Sequence, residues 1–234
     1  MKHIVITGAS SGIGKATAHQ LLQKGYRVSL LSRSIESMNV EFSMENAQCI
    51  ACDVRDYNAV NQAFAKCRAS FGPIDVLVNN AGLGVFDRLT DGSIEDWHTM
   101  VDTNVKGVLN TIHAALPELR SRKGHVINLA SVAAHHVFPN SGVYCSTKWA
   151  VAALSESIRI ELAKEVRVTT ISPGAVNTAF ISQTHNEELL SEYRDYFAAG
   201  LHPDLIAQNI VLAIETDESA VISEIIIRPN RQNK

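Results

Sequence analysis

Seven short apolar runs, separated by stretches with helical spacing, limit the folds open to this chain more than any other feature. The runs lie at residues 4–7, 27–31, 48–52, 76–78, 125–129, 167–171 and 220–227. Most are apolar at nearly every position rather than at alternate ones, the pattern of strands covered on both faces. Helical patterns fill the intervals at 13–23, 57–71, 97–122, 143–164 and 203–215. Such alternation predicts an α/β fold, a Rossmann-type doubly wound parallel sheet of about seven strands with helices on both faces. No linker, repeat or low-complexity tract divides the 234 residues, so a single domain over residues 1–234 is expected. Residues 34–46 are short for a crossover helix, which leaves that element open. Residues 180–200 have no clean period; with Tyr193, Tyr196 and Phe197, the stretch 179–202 is expected to be a mobile substrate loop.

Composition removes several classes of function. Hydrophobic residues make up 46% and charged residues 19%, ordinary for a globular protein with a sizeable core. Twenty-one basic side chains stand against 24 acidic ones, with no run of either sign. That balance argues against nucleic acid or an anionic membrane surface as partner. The start, Met1-Lys-His before Ile4-Val-Ile, lacks the charged and apolar regions of a signal peptide. No apolar stretch approaches the ~20 residues of a membrane span, so the cytoplasm is the expected location. Cys49 and Cys52 have redox-motif spacing, but positions three apart on a strand face opposite ways. Buried, reduced thiols are therefore expected for the four cysteines. His135-His136 have no Cys or carboxylate at ligand spacing, and no metal is expected.

The loop Thr7-Gly-Ala-Ser-Ser-Gly-Ile-Gly14 follows the first run and opens the first helical stretch. In that setting Gly8 permits a tight turn, Gly12 admits a pyrophosphate to the backbone, and Gly14 allows close helix–strand packing. The helix start then offers free N–H groups and a partial positive charge to phosphates. Gly8, Ser10, Ser11, Gly12, Ile13 and Gly14 are thus expected to bind a dinucleotide. About twenty residues on, where an acidic group would grip the ribose hydroxyl of NAD, stand Ser32-Arg33-Ser34. Arg33, with Ser34 beside it, can bind a 2′-phosphate bidentately, whereas a carboxylate there would repel one. NADP is therefore expected in preference to NAD, the alternative for Arg33 being a solvated surface arginine. Asp53, followed by Val54, ends the third run and could accept from the adenine amine; a routine turn Asp is the alternative.

Tyr144 and Lys148 lie four residues apart in Val143-Tyr-Cys-Ser-Thr-Lys148, with Ser131 thirteen residues upstream of the tyrosine. Residues at i and i+4 share one helix face, so phenol and ammonium can enter one site. A Tyr ordinarily titrates near ~10, and a positive charge beside it is expected to lower that value toward the working range. The spacing alone is common. Beside a phosphate-cradling loop it points to redox chemistry on a nicotinamide cofactor.

These pieces together resemble the short-chain dehydrogenase/reductase family over nearly the whole chain. Its Thr-Gly-x3-Gly-x-Gly is matched at residues 7–14 and its Asn-Asn-Ala-Gly at Asn79-Asn80-Ala81-Gly82. Its helix Asn is matched by Asn104, its strand-end Ser by Ser131, and its Tyr-x3-Lys by 144–148. Its Pro-Gly-x-Val-x-Thr is Pro173-Gly174-Ala-Val176-Asn-Thr178. The resemblance implies that Tyr144 exchanges a proton with the substrate oxygen and that Ser131 polarises the carbonyl. It implies that Lys148 tunes the tyrosine and holds the nicotinamide ribose, and that Asn104 holds a proton-passing water. Asn80, Ala81 and Gly82 would line the adenosine ribose side. Pro173, Gly174, Val176 and Thr178 would close on the nicotinamide. It also implies a homodimer or homotetramer, built on the helices of Asn104 and Tyr144 and on the last strand.

The chain departs from the family's commonest pattern at Ala130, Cys145 and Trp149, and it ends without the Gly-rich tail usual in 3-oxoacyl reductases. The short form looks more like members acting on small hydroxy acids, amino-acid alcohols or assorted carbonyls. Substrate choice is expected to lie with residues 83–86, 132–138 and 179–202. Val85, Phe86, Val137 and Phe138 are candidate lining residues there, with Arg88 and Arg194 at the edges. That mostly apolar set favours a small or medium neutral carbonyl. Two other classes compete: a redox sensor that binds NADP without turnover, and an epimerase or dehydratase of the extended branch. The sensor is disfavoured because all four catalytic positions are filled. The epimerase is disfavoured because 234 residues leave no room for that branch's second domain.

Overall fold

In the computed structural model, which describes residues 1–230, the apolar runs other than the last send residues into two different cores. Ile4 and Ile6 join one core while Val5 joins the other; Val76 and Val78 are likewise split from Leu77. A strand alternates sides at every residue, so a run with both sides covered must be apolar throughout. The strands are β1 (His3–Thr7), β2 (Arg27–Ser32), β3 (Ala47–Ala51), β4 (Val76–Asn79), β5 (His125–Leu129), β6 (Arg167–Pro173) and β7 (Glu224–Ile227). They form one parallel sheet in the order 3-2-1-4-5-6-7.

Helices α1 (Gly12–Gln23), α2 (Glu36–Glu41), α3 (Tyr57–Phe71), α4 (Ile94–Val101), α5 (Gly107–Ser121), α6 (Gly142–Glu161), α7 (Glu187–Ala198) and α8 (Pro203–Glu215) complete the fold. Leu21 and Leu22 of α1 and Ile206 and Ile210 of α8 cover one sheet face. Phe64 of α3, Ile112 and Leu119 of α5, and Val151 and Ile158 of α6 cover the other. The chain winds outward from β1 through β2 to β3, then returns to place β4 on the other side of β1. The carboxyl ends of β1 and β4 therefore part at a switch point and leave a crevice.

A buried polar chain fixes the helices of the site to the strands. Thr111 Oγ1 donates to Asn79 Oδ1 at 2.7 Å, Asn79 Nδ2 to Asn128 Oδ1 at 2.9 Å, and Asn128 Nδ2 to Ser155 Oγ at 2.8 Å. It links α5, β4, β5 and α6 and partners both of its buried amides, Asn79 and Asn128, as a low-dielectric interior demands.

Several boundaries differ from expectation. The helix read over 97–122 starts earlier, at Ile94, because Ser93 Oγ accepts from the N–H groups of Glu95 and Asp96. It is also interrupted by a π turn at Asp102–Lys106. The helix read over 143–164 stops at Glu161. The last strand begins at Glu224 rather than 220, because Ser219 and Ala220 are folded back onto Asp217 and the ladder to β6 opens only with Thr170. Residues 34–46 contain the one-and-a-half turns of α2, anchored by Met38 and Phe42. The stretch 179–202 holds a short 3-10 turn at Ala179–Ile181 and then α7. Cys49 and Cys52 pack into opposite cores, and all four cysteines are free. Among the described residues no helix is long and apolar enough to cross a membrane.

Candidate active site

A cleft of about 920 Å³ opens at the switch point and collects residues from every strand end from β1 to β6. At its floor the glycine loop turns tightly, with Gly8 at φ +64° and its Cα face against the Ala81 backbone. A Cβ on Gly14 would lie 2.4 Å from both Gly8 O and Asn80 Nδ2, so α1 packs on the loop only without a side chain there. Asn80 Nδ2 donates to Thr7 O at 3.0 Å and Gly8 O at 2.9 Å, while Thr7 Oγ1 accepts from the N–H groups of Asn80 and Ala81. Asn80 is thus a strut between the ends of β1 and β4. Ser11 stands at the N-cap of α1 with no side-chain capping bond, which leaves the first-turn N–H groups free for an anion. These features fit a dinucleotide pyrophosphate. Ser10, Gly12 and Ile13 line the same cleft, and Ser32 Oγ donates to Ser10 Oγ at 3.0 Å to hold the loop against β2.

The end of the cleft beside β2 and β3 contains a residue that the sequence reading does not include. Arg55 Nη2 donates to Asp53 Oδ2 at 2.6 Å and its Nε to both carboxylate oxygens at 3.0 Å. The guanidinium holds the Asp53 carboxyl below its usual range, with burial opposing, and Arg33 adds a smaller push in the same direction. Asn110 Nδ2, donating to Val54 O at 2.8 Å, pins this turn to α5. Arg33, Asp53, Val54 and Arg55 line the cleft together, with Arg33 exposed at its rim; Ser34 does not line it. Asp53 therefore meets the cleft already paired. The signal for Arg55 was its place two residues after a strand-end Asp.

The four catalytic candidates converge at the middle of the cleft. Ser131 follows β5, where its Oγ accepts from Ala133 N at 3.1 Å and donates to Pro173 O at 3.4 Å. Tyr144 and Lys148 share the inward face of α6, with Lys148 Nζ 5.9 Å from the tyrosine ring centroid and donating to Leu129 O at 2.7 Å. Asn104 sits in the π turn, behind the cleft wall. Its Oδ1 accepts from Leu83 N at 2.9 Å, and its Nδ2 donates to Leu83 O at 2.8 Å and Thr147 Oγ1 at 3.0 Å. Both amide donors are used, which leaves one Oδ1 lone pair for a water. The extra residue of a π turn is what brings this amide around to the loop after β4 and to α6 at once.

Electrostatics here depart from expectation. Burial pushes the Tyr144 phenol above its ordinary value, although its hydrogen bond with Ser131 pulls the other way. The same burial pushes the Lys148 ammonium down to about 8. Lys148 thus does not lower the tyrosine in this geometry. Its Nζ is turned onto the Leu129 carbonyl, and desolvation outweighs the pairing that the i, i+4 spacing offered.

Beyond Tyr144 the wall is aromatic. Phe86 meets Tyr144 edge-on at 5.8 Å, Tyr193 at 5.0 Å and Phe197 in a stack at 6.1 Å; Phe180 meets Tyr144 at 5.3 Å. Phe138 also lines the cleft, as do Pro173, Gly174, Val176 and Thr178 on the opposite side. Of the other expected lining residues, Val85 is buried behind the wall and Val137 is 71% exposed outside it. Arg88 lies outside the cleft, and Arg194 lines a separate small depression against α7. Gly14 and Asn104 support the cleft from behind rather than line it. Among the described residues no cluster of His, Cys, Asp and Glu is arranged to hold a metal ion.

Comparison with known proteins agrees with this arrangement. The family model described as short chain dehydrogenase matches residues 2–189. An uncharacterised oxidoreductase of Staphylococcus saprophyticus is 40% identical over 239 residues, covering 99% of this chain and 97% of that protein. The alcohol dehydrogenase of the archaeon Thermococcus sibiricus, solved with 5-hydroxy-NADP, superposes with a TM-score of 0.88 at 33% identity, covering 100% and 99% of the two chains. Serine dehydrogenase of Escherichia coli superposes with a TM-score of 0.87 at 29% identity, covering 99% and 100%.

Proposed function

The chain belongs to the short-chain dehydrogenase family and is an oxidoreductase with a nicotinamide cofactor, and from that premise we propose an NADP-dependent interconversion of a carbonyl and an alcohol. The observation that carries this reading is the continuity of one cleft. It runs from the glycine cradle, past Ser131, Tyr144 and Lys148, to an aromatic end.

The bound dinucleotide supplies or accepts the hydride, which these side chains cannot do. The chain's own part is placement, proton transfer and exclusion of water. Ser131 Oγ, held by Ala133 N and Pro173 O, is set to donate to a substrate oxygen and stabilise charge growing there. Tyr144, kept protonated by burial, delivers a proton to that oxygen. In its neutral form the phenol is the proton donor for carbonyl reduction, and the reverse oxidation uses the phenolate. Lys148, which donates to the Leu129 carbonyl and lines the cleft, would hold the ribose side of the cofactor. Asn104 is a positioning residue that locks the loop after β4 to α6.

Two guanidinium groups, Arg33 and Arg55, line the cleft where β2 and β3 end, and the Asp53 carboxylate there is already paired; both observations support NADP over NAD. Relatives in fold bear on both cofactors: a serine dehydrogenase has been solved with NADP+, and a 3-ketoacyl reductase of Brucella melitensis with NADH. The exposed Leu109, Trp149 and Ile160 on α5 and α6 support a homodimer or homotetramer, which light scattering would test. The expected home of the enzyme is the cytoplasm.

The test is a separate titration with NADPH and NADH, followed by a screen of ketones and aldehydes for NADPH oxidation. Tighter NADPH binding with turnover of some carbonyl is expected. NADPH binding with no turnover across a broad panel would return the protein to the sensor class.

A further inference from the structure

We propose that the substrate carries a positive charge, an ammonium group held between the aromatic wall and Glu192. The proposal rests on the carbonyl chemistry above and names its substrate class.

Among the described residues, five charged side chains line the whole cleft: Arg33, Asp53, Arg55, Lys148 and Glu192. The first three belong to the adenosine end, where Asp53 and Arg55 neutralise one another at 2.6 Å. Lys148 lies beneath the reacting phenol and is tied to Leu129 O. Glu192, on α7, is therefore the one charge at the substrate end, and it has no ion-pair partner among the described residues. Among the described residues no Arg or Lys stands there to hold a carboxylate or phosphate, since Arg88 and Arg194 lie outside the cleft.

The same end of the cleft is lined by Phe86, Phe138, Phe180, Tyr193, Tyr196 and Phe197, with Glu192 exposed at its rim. Ring faces carry negative quadrupole density, and a cation within about 6 Å of a ring centroid is attracted more strongly when desolvated. These rings are held in place rather than loose. Phe86 contacts Tyr193, Phe197, Phe180 and Tyr144, and the Tyr193 hydroxyl donates to Pro139 O at 3.2 Å, which fastens α7 across the cleft. A neutral apolar carbonyl would be served by the rings alone and would leave a carboxylate facing an apolar ligand. An anionic one would meet that carboxylate directly. A cation satisfies both. The Lys148 charge repels the ammonium from the reacting end, so the carbonyl is oriented toward Ser131 and Tyr144 and the ammonium toward α7.

The decisive pair of ligands differs in charge and hardly in shape: choline and its uncharged isostere 3,3-dimethylbutan-1-ol. Each is titrated calorimetrically into the protein saturated with NADPH, which does not react with an alcohol. Choline is expected to bind at least tenfold tighter, and that lead should fall several-fold in Glu192→Gln and vanish in Glu192→Lys. Retained NADPH affinity reports that each variant is folded. Equal affinities, tighter binding of the uncharged alcohol, failure of both to bind, or a lead that survives loss of the carboxylate overturns the proposal.

Oxidation of NADPH by the two matching aldehydes, trimethylammonioacetaldehyde and 3,3-dimethylbutanal, separates the two readings. Charge-selective binding without turnover would keep the cation site and sink carbonyl reduction. Turnover of both aldehydes without charge preference would do the reverse.

Discussion

The two ends of the cleft are built by different means. At the cradle end, backbone carries the geometry: Gly8 turns with positive φ, Gly14 admits no Cβ, and Asn80 and Thr7 bind only main-chain groups of the loop and its neighbour. At the substrate end, side chains carry it: Phe86, Phe180, Tyr193 and Phe197 lean on each other and on Tyr144. Main-chain geometry tolerates almost no substitution, whereas a wall of packed rings can be redrawn one side chain at a time. The first end fixes the kind of chemistry, and the second is free to choose the substrate.

That contrast can be broken at the cradle with the largest effect. Gly14→Ala should weaken NADPH binding at least ~100-fold, because the new methyl meets Gly8 O and Asn80 Nδ2 at 2.4 Å. Overpacking of this kind costs about 1–3 kcal/mol, so the melting temperature should fall by roughly 2–10 °C. Normal NADPH affinity in that variant would mean the loop is not the phosphate cradle.

Between the two ends, Lys148 gives a pH signature. Its folded value is about 8, below the ~10.4 of the unfolded chain, so between these limits the unfolded state holds the extra proton. Stability contributed by this group therefore rises with pH across that window. Urea unfolding of the wild type minus that of Lys148→Met should climb by about 2 kcal/mol from pH 8 to 10. A flat difference would show that the amine is not desolvated.

Smaller effects sharpen the assignment of each end. Arg33→Ser should raise the Kd for NADPH about tenfold and leave NADH nearly unchanged, the loss of one charge-assisted contact. Equal losses for both cofactors would remove Arg33 from the 2′-phosphate. Arg194→Ala should change neither cofactor binding nor KM beyond about twofold, since its side chain lines a different depression. A large KM effect there would redraw the substrate end.

The same contrast explains which parts of the fold and site are legible in the sequence. Continuous apolar runs place six of the seven strands to within a residue or two, because each is buried on both faces and nothing else satisfies that demand. The cradle was legible because glycine spacing encodes backbone shape. The aromatic end was less so. The sequence of residues 179–202 suggests a loop, although Asn186 caps α7 through Leu189 N, two acidic residues open it, and Leu190, Tyr193 and Phe197 form a stripe at helical spacing. Those signals were available and outweighed by the exposed residues between them. The π turn at Asn104 had no sequence signal, because it answers to tertiary contacts with Leu83 and Thr147. The depression of Lys148 and elevation of Tyr144 also needed coordinates: spacing supplies proximity, but only packing supplies desolvation.

The central claim is that Tyr144 transfers the proton in a cleft whose cradle works independently of it. The direct test measures two quantities on Tyr144→Phe with one substrate from the carbonyl screen: NADPH affinity by fluorescence, and kcat for NADPH oxidation. An affinity within about twofold of wild type, with kcat reduced about 10²–10⁴-fold, is the predicted result. Retention of most of the turnover by the Phe variant would contradict it.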